Sequence, residues 1–436
     1  MKIHRRHGLA AAVTGSVLLI LPACGGLAQS SEPDAAASTP QASSRPGKAM
    51  DAASGKSGTG MDHHASPSGA DAFTLTREAA SHMPVTADAL AGGFDTALEL
   101  PGSATSDAAS LRAGLSYLLT EHVYLAGIAV DTAYVAGPDS RAFKLAVQAL
   151  DQNTVALGDA IGSFAGKDNR TTFLQAWRSH IEDFVSYAVA AKSNDQAGMR
   201  QALENLEGYE RVAGDFFEEI TGGALPAEAV RASLGEHVKT LTAAIDAFAA
   251  GDGTGFGKLK AAASHMPMTA QALAAGIDEA GGLKGNSDDA ASEVRALLNA
   301  ELTEHVYLAG IAVFTAYAEG ADSDAFAAAA ATLDDNSVDL ADAVTSLTDK
   351  QTGEVFLQSW RSHINDFVTY AVAVAEKDQQ ARQEATANLQ AYAVQQGKTL
   401  EELTGGALPA DAVQHEFETH IASLTQAIDA MASTLL

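Results

Sequence analysis

The chain has 436 residues and carries 27 basic against 55 acidic side chains, a net charge of −28. That excess repels phosphate backbones and attracts cations, so nucleic-acid binding is set aside. Its one cysteine, Cys24, rules out an internal disulfide, cysteine-ligated zinc, iron–sulfur clusters and covalently attached haem.

In chain order, residues 1–24 read as a lipoprotein signal peptide. Lys2, Arg5 and Arg6 form a positive start, and residues 8–21 form an apolar stretch too short to span a bilayer. Leu21-Pro22-Ala23-Cys24 resembles a bacterial lipobox, which makes Cys24 the lipidated mature N-terminus. The expectation is an exported protein held at the extracytoplasmic face of the membrane by its lipid alone. No later run reads as a membrane span. Residues 25–71 are rich in Ser, Ala, Gly, Pro and Asp without periodic apolar positions, which predicts a disordered tether. Within it, Met61-Asp62-His63-His64 is a candidate for a soft metal ion.

From residue 72 onward the pattern is helical, and the expected fold class is all-α. The chain is also a tandem duplication. TEHVYLAGIAV occurs at 120–130 and at 303–313, and FLQAWRSHIEDFVSYA at 173–188 returns as FLQSWRSHINDFVTYA at 356–371. TGGALPAEAV and SHMPVTADALAGGFD recur at the same offset of 183 residues. A long fixed period marks repeated structural units, here two helical bundles spanning 72–252 and 253–436. Each repeat should hold six helices, in the first at about 72–95 (interrupted at Pro84), 106–136, 139–165, 168–192, 195–220 and 226–250.

Several polar residues fall on the inward stripes of these helices. His122 sits between Leu115, Leu118, Leu119 and Leu125, Ala126, Ala129. His237 lies in the stripe Val230, Leu234, Leu241, Ala244. Asn153 faces inward, and His180 stands beside Trp177 and Phe184 with Asp183 and Tyr187 on its face. All recur as His305, His420, Asn336, His363, Asp366 and Tyr370, and His82-Met83-Pro84 recurs as His265-Met266-Pro267. A buried imidazole without a partner costs about 1–3 kcal/mol, so the cluster needs an explanation.

One explanation is a hydrogen-bonded core: His180 held by Asp183, Asn153 by an imidazole, Glu121 by Arg178. Trp177 and the tyrosines 124, 187, 307 and 370 would then be packing residues, the tyrosine hydroxyls reaching water. The other is a metal centre in each bundle. His122, His180 and His237 would be its ligands, with Asp183 as ligand or orienting group, Glu121 adjacent, and His82 and Met83 contributed by the first helix. The second repeat supplies His305, His363, His420, Asp366, Glu304, His265 and Met266. Imidazole and thioether outside the cytoplasm point to copper, with zinc, iron or a haem b as alternatives. No Glu-x-x-His pair supports a ferritin-like di-iron site, and nothing marks a catalytic pocket.

The motifs EHVYLAG, FLQxWRSHIxDFVxYA, GGALPAxAV and HMPxTAxALA together resemble a group of secreted bacterial helical proteins sometimes labelled "copper amine oxidase". The resemblance implies an extracytoplasmic helical module with a link to metal. It does not imply the oxidase reaction, whose quinone arises from an Asn-Tyr pair that this chain lacks.

Overall fold

Alanine-rich helices, eight of the thirteen with Ser or Asp at the N-cap, make up the described architecture. The computed structural model describes residues 71–436, so the expected leader, Cys24 and the His63-His64 pair lie outside the described residues. Thirteen helices and no strand occur among the described residues, and the fold is all-α. They are α1 (Ala72–Leu98), α2 (Asp107–Ala136), α3 (Arg141–Ala165), α4 (Lys167–Lys192), α5 (Gln196–Ile220), α6 (Ala227–Ala250), α7 (Thr254–Ser264), α8 (Met266–Gly281), α9 (Ala290–Glu319), α10 (Asp324–Leu347), α11 (Lys350–Glu376), α12 (Gln379–Leu403) and α13 (Ala410–Leu435). Side-chain caps set the starts. The Asp71 carboxylate accepts from the amides of Phe73 and Thr74 at 3.0 and 3.1 Å, and Ser106 and Ser140 cap α2 and α3 in the same manner. Gly137 ends α2 at φ +96°, a backbone state open to glycine.

Pro84 does not interrupt its helix. In the first repeat α1 runs straight through it, whereas the second repeat breaks at His265, between α7 and α8. The missing donor at Pro84 is tolerated because the buried face on both sides of it, Ala79, Ala80, Met83, Ala87 and Leu90, is held against α9 and α13.

That packing shows the main topological feature. Helix α1 packs on α9 and α13, in the other repeat, while α7 and α8 pack on α2 and α6 of the first. The leading helix of each repeat is therefore exchanged, and all described residues fall in one compact unit. Two close contacts secure the exchange. A Cβ at Gly93 would lie 2.1 Å from Leu408, and one at Gly276 would lie 2.7 Å from Leu225. Gly93 and Gly276 are equivalent positions, as are Leu225 and Leu408. The leucines belong to the repeated GGALP turns, whose Thr221 and Thr404 hydroxyls accept the leucine amides at 3.1 and 3.0 Å. The repeated turn thus docks the exchanged helix of the opposite half.

Helices α2 and α9 form the central pair. Tyr124 and Tyr307 stack across it with ring centroids 5.8 Å apart and planes 6° from parallel. The Tyr124 hydroxyl donates to Glu304 at 2.8 Å, and that of Tyr307 to Glu121 at 2.9 Å. Both rings are wholly buried, so these hydroxyls end on carboxylates and not in water. By length and composition α2 is apolar enough to cross a bilayer, contrary to the sequence reading, yet 72% of its most apolar window is buried inside the fold.

Candidate metal centre

Each half gathers three histidines from three helices. His122 on α2, His180 on α4 and His237 on α6 each offer one ring nitrogen, and these three nitrogens lie within 4.8 Å of one another. His305 on α9, His363 on α11 and His420 on α13 do the same. The rings are buried to 5% exposure or less. Ring centroids repeat between the halves: His122 to His180 and His237 at 5.5 and 6.0 Å, His305 to His363 and His420 at 5.4 and 5.8 Å.

Aromatic side chains wall the cluster. Trp177 lies 4.8 Å from His122 and 4.6 Å from His180, Tyr209 stacks on His180 at 4.5 Å, and the edge of Phe184 meets His237 at 5.5 Å. Trp360, Tyr392 and Phe367 repeat these contacts at 4.8, 4.6 and 5.7 Å. Burial pushes the imidazoles down: His122 and His363 to about 3, His237 and His420 to about 4, and His180 and His305 well below the ordinary value. At neutral pH all six are uncharged, the form that coordinates a metal. Among the described residues neither ring nitrogen of His305 or His420 has a hydrogen-bond partner, nor has Nδ1 of His237, while His122 leans on the Asn153 side chain and His180 and His363 on the backbone of Trp177 and Trp360.

The carboxylates expected beside these rings are elsewhere. Asp183 turns to α5, where it accepts from Asn205 at 2.9 Å, and Asp366 accepts from Asn388 at 3.2 Å. One turn of α4 places Asp183 near His180 in sequence but on the rim, where it is half-exposed. Glu121 is held by Arg77 (3.2 Å), Tyr117 (2.7 Å), Tyr307 and Asn153 (2.8 Å), and Arg178 pairs with Asp151 instead. Glu304 accepts from Tyr124 and Asn336 and pairs with Lys260 at 3.2 Å. Both glutamates occupy the interface between α2 and α9, and neither belongs to a histidine cluster.

Helix exchange reassigns the first-helix residues. His82 makes a 2.9 Å contact with Glu416 on α13, which places it with the second half, and its presence there lowers His420 further. His265 reaches Ser233 on α6, Nε2 to Oγ 3.3 Å, so it joins the first half. Met266 lines a cavity of about 60 Å³ together with His122, His237, Trp177 and Tyr209. Thus His82 and Met83 do not serve the first-half cluster, and Met266 does border it. Met268 is 60% exposed and stands apart.

Sequence reasoning passed over Tyr209 and Tyr392, which form one wall of each cluster. The signal was present: both tyrosines sit at the same offset in α5 and α12, inside the stripes that carry Leu206 and Leu389. A third group of candidate ligands among the described residues, Glu301, Glu304 and Asp339, occurs in the second half alone. The Lys260 ammonium pairs there with Glu304 and Asp339, and burial pushes Glu301 up to about 8. Leu118 and Ala156 replace Glu301 and Asp339 in the first half.

Comparison with protein-family models, curated proteins and solved structures returns no match. The functional reading therefore rests on geometry and chemistry.

Proposed function

We propose that the chain is a copper-binding protein with one three-histidine centre in each half, exported and anchored through a lipid on Cys24, and that it sequesters or delivers the ion. The observation that carries this reading is the convergence of three buried, neutral imidazoles within 4.8 Å, made twice. At bond lengths of about 2.0 Å a trigonal ion spaces its nitrogens about 3.5 Å apart, within reach of small ring rotations. His305 and His420, with neither ring nitrogen partnered among the described residues, fit this role better than a hydrogen-bonded core, which would have satisfied them.

The donor set favours Cu(I) over a divalent ion. Three neutral ligands leave the full ionic charge in an apolar box, and the cost of desolvating a charge rises with its square, about fourfold from a univalent to a divalent ion. No carboxylate stands in the cluster to offset the second charge or to act as a base on bound water. Imidazole with a nearby thioether, that of Met266, suits copper.

The test is competition titration of the metal-free full chain with Cu(I), against a chromophoric chelator, with metal content measured by mass spectrometry. Two ions per chain are expected, one after His180→Ala, and none after His180→Ala with His363→Ala. Zinc bound more tightly than Cu(I) would overturn the choice of metal. Failure to take up either ion would end the reading.

A further inference from the structure

Behind each histidine cluster an apolar cleft opens between α2, α3 and α4, and between α9, α10 and α11. The first has a volume of about 540 Å³ and the second about 300 Å³, sizes typical of small-molecule sites. The two linings correspond position by position. Ala126, Val130, Tyr134 and Phe184 of the first return as Ala309, Val313, Tyr317 and Phe367 of the second, and His122 or His305 forms the floor. The mouths differ. Lys192 and Ser193 stand at the first, where the Lys192 ammonium lies 4.7 Å over the Tyr134 ring and 3.4 Å from the Ala249 carbonyl. Ala375 and Glu376 take their places at the second, and Leu436 narrows it.

We propose that the first-half cleft is a binding site for a long-chain carboxylate, its acyl chain lying on the apolar walls and its carboxylate paired with Lys192. Three observations carry this. The walls are apolar almost throughout, as an acyl chain requires. A single cation, Lys192, lines the first cleft; of the carboxylates near it, Asp131 is pushed up to about 7 by burial and by Glu319, which weakens its competition for the ammonium, and Asp246 accepts from the Tyr187 hydroxyl at 3.0 Å. The second cleft keeps the walls but sets a carboxylate where the first has a hydroxyl, so an anionic head is repelled there. The site does not depend on the metal reading, since the ligand needs no bound ion.

Calorimetric titration of the metal-free full chain with dodecanoate tests the proposal, with dodecanol as the uncharged probe. One dodecanoate per chain is expected, bound on the order of tenfold more tightly than dodecanol. Lys192→Glu should remove that preference by weakening dodecanoate, and Ala133→Phe, which fills the cleft, should weaken both ligands. Thermal melts confirm that each variant is folded. Absence of dodecanoate binding, equal affinity for the two probes, or a Lys192→Glu variant that still prefers the carboxylate would each overturn the proposal. Retention of binding in Ala133→Phe would place the ligand elsewhere and overturn it as well.

Discussion

The two halves repeat one centre and its packed surroundings and differ at particular positions around it. Distances among the three histidines, the tryptophan and the stacked tyrosine agree to a few tenths of an ångström. Beside them, Ser233 corresponds to Glu416, Lys192 to Ala375, and Leu118 and Ala156 to Glu301 and Asp339. Even the exchanged helix is continuous on one side and broken on the other. What stays fixed is the set of groups whose positions depend on one another in a packed interior. What varies are groups that meet solvent or a local partner and can be replaced singly.

The largest effect should come from splitting the pair. His180→Ala is expected to halve the copper content while the His363 centre keeps its affinity; loss of both ions from that one change would mean that the halves are not independent. Acid comes next. The six histidines titrate near 6.5 when unfolded and lower when folded, so between about 6.5 and 4 the unfolded chain binds more protons and stability falls as pH falls. Each histidine removes up to about 1.4 kcal/mol per pH unit in that window. Chemical denaturation of the metal-free protein as a function of pH should show it, and a pH-independent curve would contradict the burial.

Gly93→Val and Gly276→Val should each cost about 1–3 kcal/mol by crowding the exchanged helix. The first should be worse, because its Cβ would sit closer to leucine. Tyr124→Phe is expected to cost about 1–3 kcal/mol, since the Glu304 oxygen it serves has no other hydrogen-bond donor. Tyr307→Phe should cost less, because Tyr117 donates to the same Glu121 oxygen. Equal losses in urea titrations would refute that ranking. The smallest change, Glu416→Ser, makes the second half resemble the first. It removes a largely buried contact with His82 and a 3.3 Å hydrogen bond from Thr86, which the new hydroxyl replaces in part, and should cost about 1 kcal/mol.

Much of this was legible in the sequence. Inward spacing placed His122 and His237 correctly, because a helix with a clear apolar stripe fixes which way each side chain points. Caps and glycines gave most helix ends to within a residue or two. The helix at Pro84 was misread because a proline's local cost was weighed without the packing that offsets it. The carboxylates were misplaced for a related reason. Asp183 lies one turn from His180, but its direction is set by Asn205 on another helix, which spacing along α4 cannot reveal. The helix exchange left no local signal, since Gly93 and Leu408 are far apart in the chain and meet only in the fold.

That reciprocal crossing has a consequence for descent. A single repeat of this design has nothing of its own to cover the ground where its first helix ought to lie, and it would be complete only beside a twin. Joining two such chains end to end turns a swapped homodimer into one molecule that cannot dissociate. It also frees each side to change its outer residues alone.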